Sequence, residues 1–230
     1  GRKTLCFQDL FVLLQSKTVE LVGVTKKIKG VQILNNISLK MESGRIYGFQ
    51  GKNGCGKTML MRAICGLIKI NSGSIDINGK ILHKDIQFPE SIGVLIENPS
   101  FLNNFTGFDN LKMLAEIQGN VTDEEIKKAI ISVGLDIHDK RVYKKYSLGM
   151  KQKLGIAAAI MGSPDIIILD EPINAIDENG VERVRNILHE IKKGGAIIIV
   201  ACHDREELEH LSDHIFHIEN GRIIDDEKTI

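Results

Sequence analysis

The chain has 230 residues, 43% of them hydrophobic and 5% aromatic, with 30 basic and 30 acidic side chains. That length buries one large α/β core or two small ones, and the balanced charge excludes a protein held to nucleic acid by a global basic field. No apolar run approaches the roughly 18 to 20 residues of a spanning helix, and Cys6, Cys55, Cys65 and Cys202 have neither disulfide-framework nor paired metal-ligand spacing, which suits a reducing compartment.

Residues 1–17 open with Arg2 and Lys3 and carry a short apolar patch at 10–14, but no small-residue cleavage site follows. A secretory signal is therefore rejected, and the segment is read as an expression remnant or a short extra piece outside the fold. From Thr18 onward, residues 19–24 and 33–41 are predicted strands, with Asn35-Asn36 as a turn, and 45–50 is a third strand. A glycine-rich turn and a helix over about 57–67 follow. Residues 71–74 form a turn, and 75–77 alternate as an exposed strand does.

In the middle of the chain the period changes. Thr122 and Glu125 have capping-box spacing, Ile126, Ala129, Ile130 and Val133 recur at helical period before Gly134, and 110–117 is a second helical stretch. A mostly helical insert is expected over about 98–160. The near-continuous apolar runs at 166–169 and 196–201 read as strands buried on both faces of a parallel sheet, linked by a helix over 181–191.

Residues 51–58 read GKNGCGKT, which satisfies G-x-x-x-x-G-K-[ST] after a strand and before a helix. Gly51, Gly54 and Gly56 let the backbone N–H groups of the loop, Asn53 and Cys55 included, turn inward around phosphate oxygens, and the helix amino terminus adds its positive dipole end. Lys57 reaches the β- and γ-phosphates, and the Thr58 hydroxyl ligates magnesium. A second element strengthens the reading: the strand at 166–169 ends in Asp170-Glu171-Pro172, delivering two carboxylates to the carboxyl edge of the sheet. Asp170 is placed to hold the magnesium, and Glu171 to orient and deprotonate an attacking water.

Between these motifs, residues 146–152 read YSLGMKQ, which resembles the LSGGQ signature of ATP-binding cassette (ABC) ATPases and precedes the aspartate strand as in that family. Residues 174–177 resemble the family's D-loop, with Asp177 as its carboxylate. Cys202-His203-Asp204 looks like the switch-histidine loop, in which His203 would contact the γ-phosphate. The resemblance spans 18–230 and implies an α/β P-loop ATPase with a small antiparallel β subdomain and a helical subdomain at about 98–160. It implies ATP and Mg2+ as ligands, and a head-to-tail homodimer, or pairing with a related cassette, in which Ser147 and Gly149 complete the partner's ATP site. It also implies a membrane permease as partner, which puts the chain in the cytoplasm, peripheral to the inner face of the cell membrane.

Three positions depart from the family pattern. Ile28 stands where an aromatic ring usually stacks on adenine, so it supplies apolar contact without π-stacking. Glu97 replaces the usual Q-loop glutamine; an ionised glutamate only accepts and carries charge, so it binds magnesium or water more strongly and repels the γ-phosphate. Leu148 and Met150 stand where glycine and glutamine are usual in the signature. Together, residues 97–99 (ENP) and 147–152 (SLGMKQ) look like the exporter branch associated with bacitracin resistance and lantibiotic immunity.

The lysines at 26, 27 and 29 and at 144, 145, 151 and 153 lack the interleaved aromatics of a single-strand binder and read as solvated faces, so no nucleic acid is expected. Phe101, Phe105 and Phe108 suit either a docking surface for a permease or a core between subdomains. The functional expectation is the ATP-hydrolysing subunit of an exporter for a peptide antibiotic or related amphiphile. The rival is a soluble cassette acting on nucleic acid, the ribosome or cofactor assembly.

Overall fold

The structure, a computed structural model, describes residues 17–119 and 121–228, so residues 1–16 of the expected amino-terminal extra segment, with Cys6, lie outside the described residues. Lys17, the last residue of that segment, pairs with Asp165 at 2.6 Å.

Two sheets organise the fold. β1 (Thr18–Ile28), β2 (Val31–Glu42), β4 (Ser72–Ile77) and β5 (Lys80–Ile81) form an antiparallel sheet in the order β2-β1-β4-β5. β3 (Arg45–Gln50), β6 (Ile92–Leu95), β7 (Ile166–Asp170), β8 (Ile197–Cys202), β9 (His214–Glu219) and β10 (Arg222–Lys228) form a second sheet in the order β10-β9-β3-β8-β7-β6. All neighbours in it pair in parallel except the β9-β10 hairpin. Six helices accompany them among the described residues: α1 (Lys57–Ile64), α2 (Gly107–Gln118), α3 (Asp123–Ser132), α4 (Leu148–Ile160), α5 (Glu178–Lys193) and α6 (Arg205–Leu211).

The larger sheet divides the apolar interior. Ile166, Ile168, Ile197, Ile199 and Ala201 face a core shared with α1 and the antiparallel sheet. Ile167, Leu169, Ile198 and Val200 face a second core built with the remaining helices. β7 up to Leu169 and the whole of β8 are therefore apolar because successive side chains enter different cores.

α3 starts as its sequence indicates. The Thr122 hydroxyl accepts from the Glu125 N–H at 3.3 Å, and the Glu125 carboxylate accepts from the Thr122 N–H at 2.8 Å. Thr122→Ala is expected to cost about 1 kcal/mol, read as a lower urea midpoint with an unchanged slope; an unshifted midpoint would show the cap to be idle.

Three local expectations are corrected. Asn35-Asn36 is not a turn but lies inside β2, where the pairing with β1 shifts between Val24 and Lys26. Asn36 takes a left-handed φ of 55° that asparagine tolerates, and the chain reverses instead at Lys29-Gly30. The turn expected over 71–74 is already strand from Ser72, because Gly73 at φ 89° permits a bulge against β1. α1 stops at Ile64 rather than near 67, as Gly66 turns left-handed and brings the chain within 2.7 Å, at its missing Cβ, of the Gln87 carbonyl.

Candidate functional site

The loop between β3 and α1 is shaped by its glycines. Gly51 has φ 158°, and a Cβ there would lie 2.3 Å from the Ile218 carbonyl oxygen; Gly56, the residue before α1, has φ 115°. Gly54 has nothing within 4 Å of a built Cβ, so it faces open space. Lys57 is only 6% exposed and donates to the Gly51 carbonyl at 2.5 Å and the Lys52 carbonyl at 3.3 Å, which holds its ammonium over the loop. The Cys55 side chain is buried in the core and its N–H donates to the Lys52 carbonyl at 3.2 Å, whereas Asn53 is exposed at the loop surface.

β7 brings the carboxylates to this loop. The Thr58 hydroxyl donates to Asp170 at 2.6 Å. Burial pushes the Asp170 carboxyl above the usual carboxylate range; the Thr58 hydrogen bond opposes this, and the charge of Glu171 adds to it. Glu171 has φ 50°, and its N–H donates to the Ala201 carbonyl at 2.8 Å, which ties the residue after β7 to β8. Its carboxylate lies 3.0 Å from Nδ1 of His203, the residue that follows β8. Cys202 lies beside this pair, its thiol pushed up to about 11 by burial, so it is an inert neutral neighbour at physiological pH.

A cleft of about 550 Å³ opens here, lined by Lys57, Thr58, Glu97, Asp170 and Glu171 among others. Two hard oxygen donors, Thr58 and Asp170, face each other beside a buried ammonium at the amino end of α1, a donor set that fits Mg2+ with a triphosphate. A larger groove, about 1090 Å³, runs between α3, the end of α4 and α5 and contains none of the motif residues.

The other expected residues distribute in two groups. Glu97, at φ 63° just beyond β6, lines the cleft and is 2.6 Å from Nη2 of Arg62 on α1. Ser147 caps α4, its hydroxyl accepting from the Met150 N–H at 3.2 Å, and Gly149 comes so close to Ala175 that a Cβ would meet its carbonyl at 2.6 Å. Neither lines the cleft, nor does Asp177, which precedes α5 and is held below the usual carboxylate range by Lys153. Ile28 does not line it either: β1 carries Ile28 to the hairpin tip, and Ile33 on β2 supplies the apolar wall instead. Sequence reasoning also missed Gln152, buried on α4, whose side-chain amide donates to the Glu171 and Pro172 carbonyls at 3.0 and 3.1 Å. Of the phenylalanines, Phe101 and Phe108 join the helical core, Phe101 edge-on to Tyr143 at 5.3 Å, while Phe105 stays exposed.

Comparison with known proteins decides the family. A family model described as ABC transporter matches residues 34–174. The chain belongs to the ABC transporter family. It is 48% identical to the uncharacterized ABC transporter ATP-binding protein YybJ of Bacillus subtilis (strain 168), over 92% of this chain and 97% of that protein. The bacitracin transport ATP-binding protein BcrA of Enterococcus faecalis is 36% identical over 94% of this chain and 70% of its own length. A dimeric bacterial ABC transporter cassette, MJ0796, shares the fold at TM-score 0.84 and 20% identity, covering 92% of this chain and 99% of that one. The protein is thus an ATP-binding subunit of the ABC transporter family and an ATPase of that class, and the relatives favour transport over the soluble rival. Among the described residues, no helix of this cassette is long and apolar enough to cross a membrane.

Proposed function

We propose that this cassette hydrolyses MgATP to drive a membrane exporter of a peptide antibiotic or related amphiphile. The observation that carries the hydrolytic part is the meeting of Lys57, the Thr58–Asp170 pair and the Glu171–His203 pair at one edge of the parallel sheet. The similarity to a bacitracin transport subunit supports the cargo class.

In this reading the N–H groups of Gly51, Asn53, Gly54, Cys55 and Gly56 hold the phosphates, Lys57 sits at the β- and γ-oxygens, and Ile33 offers an apolar wall to the base. Thr58, Asp170 and Glu97 hold the magnesium, which when bound offsets charge on the phosphate oxygens. Glu171 accepts a proton from the attacking water, and His203 orients that carboxylate through Nδ1; the contact of His203 with the γ-phosphate is the part of its role that rests on the family resemblance.

Ser147, Gly149 and Asp177 lie outside the cleft of their own chain, which supports a head-to-tail pair in which they face the partner's ATP. The exposed capped start of α4 offers N–H groups and a positive dipole end for that role. Residues 98–160 form the subdomain that meets the permease, with the exposed Phe105 and Leu102 on its surface, and the permease holds the cassette at the cytoplasmic face of the membrane. A tagged chain recovered from membranes is expected to bring down a polytopic membrane protein, with magnesium-dependent ATP turnover in the eluate. Recovery with ribosomes and no membrane subunit would refute the exporter reading.

A further inference from the structure

The cleft lining carries an electrostatic problem. Before magnesium binds, Glu97, Asp170 and Glu171 supply three carboxylates against the single ammonium of Lys57 among the side chains that line the cleft, a formal excess of two negative charges.

Arg62 lies four residues after Thr58, on the same face of α1. One side of this helix therefore presents the Thr58 hydroxyl to Asp170 and the Arg62 guanidinium to Glu97, at 2.6 Å in each case. We infer that Arg62 is the positioning residue that makes a glutamate tolerable at position 97: its guanidinium holds Oε1 of Glu97 and offsets that carboxylate's charge, which leaves Oε2 for the magnesium. This rests on the nucleotide-site reading of the cleft and explains how a position that would otherwise repel ATP stays compatible with binding. Arg62 touches neither phosphate nor metal in this role and acts through Glu97 alone.

The test is a double-mutant cycle on the full chain with MgATP, comparing wild type, R62Q, E97Q and R62Q/E97Q. R62Q is expected to weaken MgATP binding about three- to fivefold, the range of a partly exposed ion pair, and to raise KM while leaving kcat within about twofold. In the E97Q background the same substitution is expected to change nothing, R62K is expected to keep near-normal binding, and the R62Q defect is expected to shrink as salt is raised. Equal losses in both backgrounds would mean that Arg62 meets the phosphates or supports α1 directly, and would overturn the inference while leaving the ATPase reading intact; an unaffected R62Q would overturn it as well. If circular dichroism shows R62Q unfolded, R62M keeps the aliphatic stem and takes its place in the cycle. A wild-type chain that binds no MgATP would instead remove the nucleotide-site reading and this inference with it.

Discussion

Glu171→Gln is expected to lower ATP turnover at least about 100-fold while leaving MgATP affinity within about threefold. The substitution keeps the shape of the side chain and the N–H bond to Ala201 that fixes the residue beside β8. It replaces a carboxylate that can take a proton with an amide that cannot. The neighbouring Thr58–Asp170 pair and Lys57 are untouched, so the groups assigned to magnesium and phosphate remain. His203 retains a hydrogen-bonding partner at position 171, which separates loss of the proton acceptor from loss of orientation. Phosphate release measured with the permease present, beside equilibrium nucleotide binding, tests the assignment. Turnover above about a third of wild type in this variant would remove Glu171 from the role of base.

Gly93→Ala is expected to destabilise the fold by about 3 kcal/mol or more, seen as a much lower urea midpoint or as insoluble protein. Gly93 sits in β6 where α4 crosses it, and a Cβ there would lie 1.7 Å from the Ala159 carbonyl oxygen and 3.0 Å from Pro164. Because the obstacle is backbone, no side-chain rotation relieves it; either β6 or α4 has to move. Gly155 makes the reciprocal approach from the helix, its missing Cβ within 2.9 Å of Pro99 and 2.8 Å of Leu95. β6 leads to Glu97 and α4 is capped by Ser147, so the same two glycines set the distance between two parts of the proposed machinery. A midpoint equal to wild type would show that the strand and helix are not in such close contact.

Much of this architecture is legible in the residues themselves. The apolar runs of β7 and β8 announce strands covered on both faces, and the capping box of α3 announces its start, because each signal depends on a contact a few residues away or on burial alone. The same locality makes the glycine-rich loop and the Asp170-Glu171 pair readable, and the topology brings them together with His203 because β3, β8 and β7 are adjacent in the sheet. What was not legible depends on distant register or distant partners. The bulge at Asn36 shifts β2 against β1, and Ile33 on β2 rather than Ile28 at the hairpin tip lines the cleft. Arg62 and Glu97 are 35 residues apart, and Gln152 and Glu171 are 19 apart; no periodicity connects either pair.

The backbone at Glu97 and Glu171 carries a further implication, since both residues hold left-handed φ angles of 63° and 50° that suit glycine better than any residue with a side chain. Heat resistance and work therefore pull in opposite directions at these two places. A laboratory selection that rewarded only survival at high temperature would be drawn to glycine at 97 and 171, relaxing the chain while removing the carboxylates. Hardening this cassette safely means leaving those two residues strained and seeking stability elsewhere, for instance at the exposed helix ends.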